Sequence, residues 1–304
     1  MSKKPLLICV VGATAIGKTS LSIALATAFD TEIISADSRQ FYSLMKIGTA
    51  VPSTQEQAAA VHHFIQHRSI FDPYSVGDFE KEALLQLEAL FKKKSIAILV
   101  GGSGLYVDAV INGLDHFPDV PKEIREGLNF QLNKEGIQVL QQELMDADPM
   151  YYKTMDIENP RRIIRALEIY RTTGKPYSSF LKAKPANRNF ETLYIGLTAE
   201  RQVIYQRINK RVDIMLENGL LQEVQQLIAH KDLNALQTVG YRELFQYFEG
   251  KITLEKAVEE IKKNTRRFAK RQGTWFRKNQ QIHWFDYTSK SDDIVDFIKE
   301  KNAL

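Results

Sequence analysis

Short apolar runs alternate along the chain with longer segments in which apolar residues recur every three or four positions. The short runs are rich in β-branched and aromatic residues, which favours strands, and the longer segments have the helical period. Strands and helices that alternate in this way are typical of a parallel sheet covered by helices. The strands are predicted at residues 6–11, 32–36, 95–100, 192–198 and 282–287.

The segment between the third and fourth predicted strands has almost no strand pattern. It opens with DHFPDVP and closes with KAKPANRN, two stretches whose composition is typical of loops. In its clearest helix, NPRRIIRALEIYRTTG, Asn159 is a good N-cap, Ile163, Ile164 and Leu167 form an apolar face, and Gly174 ends the helix. We therefore predict a core made of residues 1–114 and 189–304, with residues 115–188 as a helical insertion domain.

The stretch LLICVVGATAIGKTS joins the first predicted strand to a helix. Gly12, Gly17, Lys18 and Thr19 fit the pattern G-x-x-x-x-G-K-[ST], and the preceding strand is the context that this phosphate-binding loop requires. Its backbone N–H groups converge on an anion, Lys18 adds a positive charge, and the Thr19 hydroxyl is placed to hold Mg²⁺. The alternative is an ordinary glycine turn. The pattern predicts a diphosphate with a metal ion, which need not be a nucleotide.

Ligands of open parallel sheets bind beyond the carboxyl ends of the strands. The second predicted strand ends in ISADSRQFY, where Asp37, followed by Ser38 and Gln40, is either a general base or a cap on the next helix. The third ends in AILVGGSGLY, which places Ser103 among glycines and carries no acidic residue. Motor ATPases and GTPases usually have a metal-supporting Asp at such a strand end. The glycines therefore favour a group-transfer pocket, although a tight turn would also explain them.

A basic stretch lies near the end of the chain. Residues 261–278, IKKNTRRFAKRQGTWFRK, hold eight Lys or Arg and no acidic residue, with aromatic residues between them. Arg161, Arg162 and Arg165 form a second basic cluster. Together they suggest a clamp on a nucleic-acid backbone, although a solvated helix face would also explain such charges. In the first stretch, one helical face carries Lys262, Arg266 and Lys270, with Lys263, Arg267 and Arg271 beside them.

The composition changes this picture little. The 304 residues are 44% hydrophobic and 26% charged, with a net charge of +4, which is ordinary for a globular protein. The single cysteine, Cys9, lies in the first predicted strand, so we expect a buried thiol and a reducing, cytoplasmic environment. The first apolar run is too short to span a membrane. The histidines at positions 62, 63 and 67 lack the companions of a zinc site, and packing or a substrate-side loop is the preferred interpretation.

Several motifs occur along the chain in this order: GATAIGKT, ISADSRQFYSLMKIGTA, HHF with DPYSVGDF, GGSGLY, NPRRIIRALEIYRTTGKP, TVGYRE and KRQGTWFR. This series resembles the tRNA dimethylallyltransferase family, the bacterial tRNA isopentenyltransferases. The resemblance extends from the first predicted strand to Arg277. Departures are small, since Ala13 and Ile16 stand where the family often has Pro and Ser, and Ser103 stands where it often has Thr.

The resemblance implies a fold, a reaction and a set of roles. The fold is an α/β, P-loop NTPase-like parallel sheet flanked by helices, with a helical insertion domain that contacts tRNA. The reaction transfers the dimethylallyl group of dimethylallyl diphosphate to N6 of the adenosine adjacent to the 3′ side of the tRNA anticodon. Asp37 would be the general base, Lys18 and Mg²⁺ held through Thr19 would stabilise the leaving diphosphate, and Ser103 would line the reaction channel. Neither a membrane nor an obligate protein partner is implied.

The expected binding residues fall into two groups. Diphosphate binding is expected at Gly12, Ala13, Thr14, Ala15, Ile16, Gly17, Lys18, Thr19 and Arg211. Contacts with the tRNA anticodon loop are expected at Asp37, Ser38, Arg39, Gln40, Ser103, Arg125, Arg161, Arg162, Ile163, Ile164 and Arg165, joined by Arg266, Lys270 and Arg271 of the basic stretch.

Three other functions stay open on the residues alone. A small-molecule P-loop kinase could use Asp37 as a base in the same way, but it would have no use for the basic stretch. A noncatalytic RNA-binding protein would not need to keep Lys18, Thr19 and Asp37 intact. An isopentenyltransferase that acts on free adenine nucleotides would not need two basic surfaces.

Overall fold

The computed structural model describes residues 4–181 and 186–302 of the chain. Within these residues, the strands form one parallel sheet in the order β3-β2-β4-β1-β5-β6. Five of the strands confirm those predicted from the apolar runs, whereas β3 is not predicted by the pattern because it has only two residues. The strands are β1 (Leu6–Gly12), β2 (Ile33–Ser35), β3 (His62–His63), β4 (Ile96–Gly101), β5 (Glu191–Thr198) and β6 (Ile282–Asp286).

Helices connect the strands and cover the sheet. Short 3₁₀ turns occur at Tyr177–Phe180, Ile228–His230 and Asn234–Leu236. None of the helices in the described ranges has the length and apolar character needed to cross a membrane. The helices are α1 (Lys18–Ala28), α2 (Thr54–Ala59), α3 (Val76–Phe91), α4 (Gly104–Asn112), α5 (Lys122–Glu135), α6 (Ile137–Ala147), α7 (Pro149–Thr154), α8 (Pro160–Thr173), α9 (Arg201–Glu217), α10 (Leu220–Gln226), α11 (Tyr241–Phe248), α12 (Leu254–Phe276) and α13 (Ser291–Asn302).

Strand β1 is buried along its whole length because both faces of the sheet are covered. Leu7 and Cys9 pack in the core on one face, and Ile8 and Val10 pack in the core on the other. Such two-sided burial explains why this strand is a continuous apolar run rather than an alternating one. Burial also raises the pKa of the Cys9 thiol, which makes Cys9 an unreactive core residue, as predicted.

The register of the sheet brings three strand ends to one edge. Val11 of β1 pairs with Gly101 of β4, and Ser35 of β2 pairs with Val100 of β4. The loops that follow these strands therefore open at the same edge, where open parallel sheets bind their ligands. They carry the P-loop, Asp37 and Ser103.

The chain divides into two compact units, of which the first comprises Met1–Asn112 and Asn187–Leu304 and the second Gly113–Ala186. In its described residues the second unit consists of α5 to α8 and one 3₁₀ turn. Leu128 and Leu140 pack there against the apolar face of α8. As predicted, Asn159 caps α8, because its side chain accepts a hydrogen bond from the N–H of Arg162, and Gly174 follows the helix with a φ of 69°. Residues 182–185 of the loop predicted at KAKPANRN lie outside the described residues.

Candidate active site

The P-loop, residues 12–19, turns the chain from β1 into α1. Gly12 has a φ of 142°, and a Cβ at this position would lie 2.6 Å from the carbonyl oxygen of Leu197. Gly17, with a φ of 114°, is the N-cap of α1, and no side chain caps this helix. The first N–H groups of α1 are therefore available to an anion at the positive end of the helix dipole.

The side chain of Lys18 folds back onto the P-loop. Its Nζ donates a hydrogen bond to the carbonyl oxygen of Ala13 at 2.8 Å. Burial lowers the pKa of Lys18 to about 8, with the carboxylate of Asp37 opposing this effect and the charge of Arg211 adding to it. A bound diphosphate would favour the protonated amine, so this arrangement suits an anion site.

Asp37 lies in a turn after β2, not at the start of a helix. Its Oδ1 accepts a hydrogen bond from the N–H of Arg39 at 3.1 Å, while no described residue donates to its Oδ2. Turns continue from here to α2, which begins at Thr54. The helix-cap alternative for Asp37 is therefore wrong, because its carboxylate holds a turn and not a helix start.

Two serines join the ends of β2 and β4. The hydroxyl of Ser38 lies 3.3 Å from the hydroxyl of Ser103, which also accepts a hydrogen bond from the N–H of Ser38 at 3.4 Å. A Cβ at Gly101 would lie 2.8 Å from the carbonyl oxygen of Ala36. The glycine at the end of β4 thus permits close packing of the two strand ends, which brings Ser38 and Ser103 to one site.

Arg39 and Gln40 use their side chains to hold neighbouring loops. The guanidinium of Arg39 donates to the carbonyl oxygen of Ala235 at 3.1 Å. The amide of Gln40 donates to the carbonyl oxygen of Ala50 at 2.9 Å. These contacts fix the turn that carries Asp37.

Two arginines of α9 reach the P-loop. The Nε of Arg207 donates to the carbonyl oxygen of Ala15 at 2.7 Å, and the guanidinium of Arg211 lies 3.4 Å from the hydroxyl of Thr14. Burial, together with the charge of Arg207, lowers the pKa of Arg211. Arg211 is therefore near the position expected for a diphosphate contact. Arg207 is not a predicted site residue, because the sequence around it does not distinguish it from a surface arginine.

Helix α12 supplies a third wall through two residues of the KRQGTWFR motif. Gln272 accepts a hydrogen bond from the N–H of Thr14 at 2.8 Å and donates one to the carbonyl oxygen of Gly102 at 2.9 Å. The indole N–H of Trp275 donates to Asp108 at 2.8 Å. Neither residue is a predicted site residue, although both belong to the KRQGTWFR motif, because no local pattern distinguishes them from other residues of the helix.

These elements surround one cavity of about 740 Å³, which is within the usual size range of ligand sites. Gly12 and Ala13 do not line the cavity, and neither do Arg266 and Lys270. The predicted residues that line it are Thr14, Ala15, Ile16, Gly17, Lys18, Thr19, Asp37, Ser38, Arg39, Gln40, Ser103, Arg211 and Arg271.

The basic residues of α12 do not all face the same way. Lys262 forms an ion pair with Asp213 at 2.5 Å, and Arg266 donates to Asn209 at 2.8 Å, so both side chains pack toward α9. Lys270 is exposed, and Arg271 lines the cavity. Lys262, Arg266 and Lys270 lie one helical turn apart in α12, but Lys262 and Arg266 are engaged by α9, so Lys270 is the exposed member of the three.

The arginines of the second unit also differ from one another. Glu168 has a side chain that is 0% exposed, and it pairs with Arg125 at 2.6 Å and with Arg165. Arg161 and Arg162 are exposed.

Two apolar residues of α8 were also expected to contact tRNA. Ile163 and Ile164 are instead buried in the core of the second unit. Direct contact of their side chains with RNA does not agree with this burial, because they form the apolar face that holds α8 in place.

The clustered histidines have separate surroundings. His62 lines the cavity, and the Nε2 of His63 lies 2.5 Å from Glu32. Within residues 4–181 and 186–302, no three His, Cys, Asp or Glu residues are grouped so that they could hold a metal ion.

Comparison with known proteins agrees with the motifs. Residues 40–279 match the family model described as IPP transferase. A tRNA dimethylallyltransferase of Christiangramia forsetii is 61% identical over 97% of this chain and 98% of its own length. A tRNA dimethylallyltransferase of Flavobacterium psychrophilum is 55% identical, again over 97% of this chain and 98% of its own length.

Solved structures have the same fold over nearly the whole chain. The tRNA isopentenylpyrophosphate transferase of Bacillus halodurans matches with a TM-score of 0.73 at 38% identity, covering 99% of this chain and 97% of that one. A eukaryotic dimethylallyltransferase studied while acting on tRNA matches with a TM-score of 0.83 at 29% identity, covering 98% of this chain and 80% of that one. The chain therefore belongs to the IPP transferase family, the tRNA dimethylallyltransferases.

Proposed function

We propose that this protein transfers the dimethylallyl group of dimethylallyl diphosphate to N6 of the adenosine adjacent to the 3′ side of the tRNA anticodon, releasing diphosphate. Family membership and the names of its relatives support this function. The observation that carries it is that a phosphate-binding loop and the Asp37 carboxylate, whose Oδ2 accepts no hydrogen bond from the described residues, line the same cavity. That combination supplies both an anion site for the leaving group and a base for the attacking amine.

The P-loop is proposed to hold the diphosphate. The free N–H groups at the start of α1, the amine of Lys18 and the guanidinium of Arg211 all lie at this cavity. As the bond to the allylic carbon breaks, negative charge increases on the diphosphate, and fixed positive groups stabilise that charge most when it is fully developed. The P-loop therefore contributes to the rate and not only to binding.

The site residues fit a magnesium ion that is brought in with the diphosphate. Thr19 lines the cavity, and its hydroxyl makes no hydrogen bond with any described residue. Hydroxyl and phosphate oxygens are ligands that Mg²⁺ prefers, and a protein usually holds this ion by few side chains plus substrate phosphates. We propose Thr19 as the protein ligand. When bound, Mg²⁺ supplies positive charge to the leaving group.

Asp37 is proposed to be the general base. The exocyclic amine of adenine is a weak nucleophile because its lone pair is delocalised into the ring, so removal of a proton assists the attack. The Oδ1 of Asp37 accepts a hydrogen bond from the N–H of Arg39, and this bond orients the carboxylate. Its Oδ2 accepts no hydrogen bond from the described residues. Ser38 and Ser103, which meet beside this carboxylate turn, are proposed to line the channel in which the base and the allylic carbon meet.

Binding of tRNA is proposed to use two basic regions. Lys270 and Arg271 of α12 are exposed, as are Arg161 and Arg162 of α8. Exposed cations of this kind neutralise backbone phosphates, and the target base must leave its stack to enter the cavity. A tRNA substrate and the lone buried cysteine also agree with a cytoplasmic location, which we propose as well.

Mass analysis of nucleosides tests the function directly. Unmodified tRNA is incubated with the protein, Mg²⁺ and dimethylallyl diphosphate, then digested, and prenylated adenosine is the expected product. AMP replaces tRNA in a parallel reaction, and efficient prenylation of AMP would favour an enzyme of free nucleotides. A rise in melting temperature with ATP, but not with dimethylallyl diphosphate, would instead favour a small-molecule kinase.

A further inference from the structure

Gln272 links two loops of the active site that are far apart in the sequence. It lies in α12 and is 6% exposed. Its Oε1 accepts a hydrogen bond from the N–H of Thr14, at the tip of the P-loop, across 258 sequence positions. Its Nε2 donates to the carbonyl oxygen of Gly102, next to Ser103. One carboxamide thus joins the P-loop to the turn after β4.

The fit between Gln272 and Gly102 requires a residue without a side chain. A Cβ at Gly102 would lie 2.2 Å from the Nε2 of Gln272 and 3.6 Å from the Nζ of Lys18. Gly102 is therefore close to both the carboxamide of Gln272 and the ammonium group of Lys18. We expect a shift of Gln272 to be transmitted through Gly102 to the surroundings of the P-loop lysine.

The contact also makes a specific chemical demand. A group between the Thr14 N–H and the Gly102 carbonyl has to accept at one end and donate at the other, and a carboxamide does both. An ionised carboxylate accepts but cannot donate, and an aliphatic side chain does neither. Without the amide, the P-loop tip would keep Arg207 and Arg211 as side-chain neighbours but would lose the hydrogen-bonded link through Gln272 to Gly102.

We propose that Gln272 is a positioning residue that holds the P-loop tip against the Ser103 turn, so that diphosphate affinity depends on a residue of α12. This inference rests on the proposed function only in taking diphosphate as the ligand of the P-loop. Gln272 acts through the backbone of Thr14 and Gly102 and takes no part in bond making. Its effect is expected in the binding of diphosphate and not in the affinity for RNA.

Calorimetric binding of inorganic diphosphate, with Mg²⁺ and without RNA, provides the first test. We expect Gln272→Leu to weaken diphosphate binding by about 5- to 10-fold, the effect of roughly one lost hydrogen bond at a preorganised site. Thr274→Val is the matched control in the same helix, since Thr274 is exposed and its hydroxyl bonds only to the Lys270 carbonyl of its own helix. Binding by Gln272→Leu within about twofold of the wild type would overturn the proposal.

A second variant distinguishes the hydrogen bonds from simple packing. In Gln272→Glu, the protonated side chain has the shape of glutamine and can donate to Gly102, whereas the ionised one cannot. Its diphosphate affinity relative to wild type, compared at each pH, is therefore expected to recover as the pH falls. The ratio removes the effect of the ionisation of diphosphate itself. A ratio that does not change with pH would contradict a positioning role through these hydrogen bonds.

Gly102→Ala approaches the same contact from the other side. Its Cβ would displace the end of Gln272, so we expect a similar loss of diphosphate affinity and little further loss when Gln272→Leu is added. Additive losses would overturn the proposal. These experiments measure diphosphate binding and not transfer to tRNA. A wild-type protein that binds diphosphate but prenylates no RNA would therefore overturn the proposed function and leave the role of Gln272 intact.

Discussion

The ammonium group of Lys18 and the carboxylate of Asp37 attract each other across the cavity at the ends of β1 and β2. One belongs to the group that would hold the diphosphate and the other is the proposed base for the amine. The proposed diphosphate site and the proposed base are thus coupled electrostatically.

Loss of the Asp37 carboxylate is expected to abolish most of the transfer. We expect Asp37→Ala to lower kcat by ~10²- to 10⁴-fold, the usual contribution of a general base, with tRNA affinity within a few fold of wild type. Asp37→Asn is the sharper variant, because its Oδ1 can still accept the N–H of Arg39 and so keeps the turn. If Asp37→Asn retained more than about half of the wild-type kcat, Asp37 would be a turn residue and not the base.

Diphosphate binding is expected to weaken as the pH rises past about 8, where the free site loses the Lys18 proton. Below that pH the amine is charged and attracts the anion. The attraction of Asp37 raises the pKa of Lys18, so Asp37→Asn should move the decline to lower pH. Calorimetry between neutral and alkaline pH measures both effects, with Lys18→Met as the control that lacks the decline. Diphosphate itself gains charge toward alkaline pH, so the wild type is compared with Lys18→Met at each pH. The same pH dependence in both proteins would exclude a titrating Lys18.

The fold was predictable from the sequence wherever many residues repeat the same preference. β1 is a continuous apolar run because helices cover both of its faces, and such runs are visible without any tertiary knowledge. β3 gives no such pattern, because it has only His62 and His63 and depends on its pairing with β2. Short edge strands are defined by their neighbours and not by their own composition.

The candidate site was predictable in part, for a similar reason. The P-loop and Asp37 follow strands directly, so strand order alone brings them to one edge. Gln272 is a single polar residue in an amphipathic helix, and its partner Thr14 is 258 positions away, so no local pattern marks it. Helical spacing likewise put Arg266 and Lys270 on one face, but only the packing of α9 determines which of them is free.

The Thr19 hydroxyl is expected to determine the Mg²⁺ concentration that the reaction requires. Thr19→Ala should need more Mg²⁺ for half of its maximal rate and should recover only partly at high Mg²⁺, because an oxygen ligand is lost. Thr19→Ser keeps the hydroxyl and serves as the matched control. Titration of the initial rate with Mg²⁺ measures the change. An identical Mg²⁺ curve for Thr19→Ala would remove Thr19 from the metal site.

Lys270 and Arg271, two exposed basic residues of α12 with no acidic partner among the described residues, are expected to make the contact of this helix with RNA. Each cation that meets a phosphate releases a counterion, so Lys270→Ala with Arg271→Ala should flatten the salt dependence of tRNA affinity by about two units. Lys262→Ala with Arg266→Ala is the comparison in the same helix, because α9 already engages those side chains. Binding measured over a series of salt concentrations distinguishes the pairs. Equal slopes for both double variants would mean that α12 is a solvated helix and not an RNA surface.

In the second unit, the exposed arginines and those paired with Glu168 are expected to differ in the effect of their replacement. Arg161 and Arg162 are exposed, so their replacement by alanine should weaken tRNA binding without lowering the melting temperature. Arg125 and Arg165 instead neutralise the fully buried carboxylate of Glu168, and alanine at both positions leaves it unpaired, at a cost of about 3–5 kcal/mol. Adding Glu168→Gln should restore part of that loss, because a neutral amide is easier to bury than a charge.

Thermal unfolding and tRNA binding of the three variants measure these different effects. If the change of Arg125 and Arg165 weakened tRNA binding at an unchanged melting temperature, these two arginines would be RNA contacts and the ion pairs with Glu168 would be incidental.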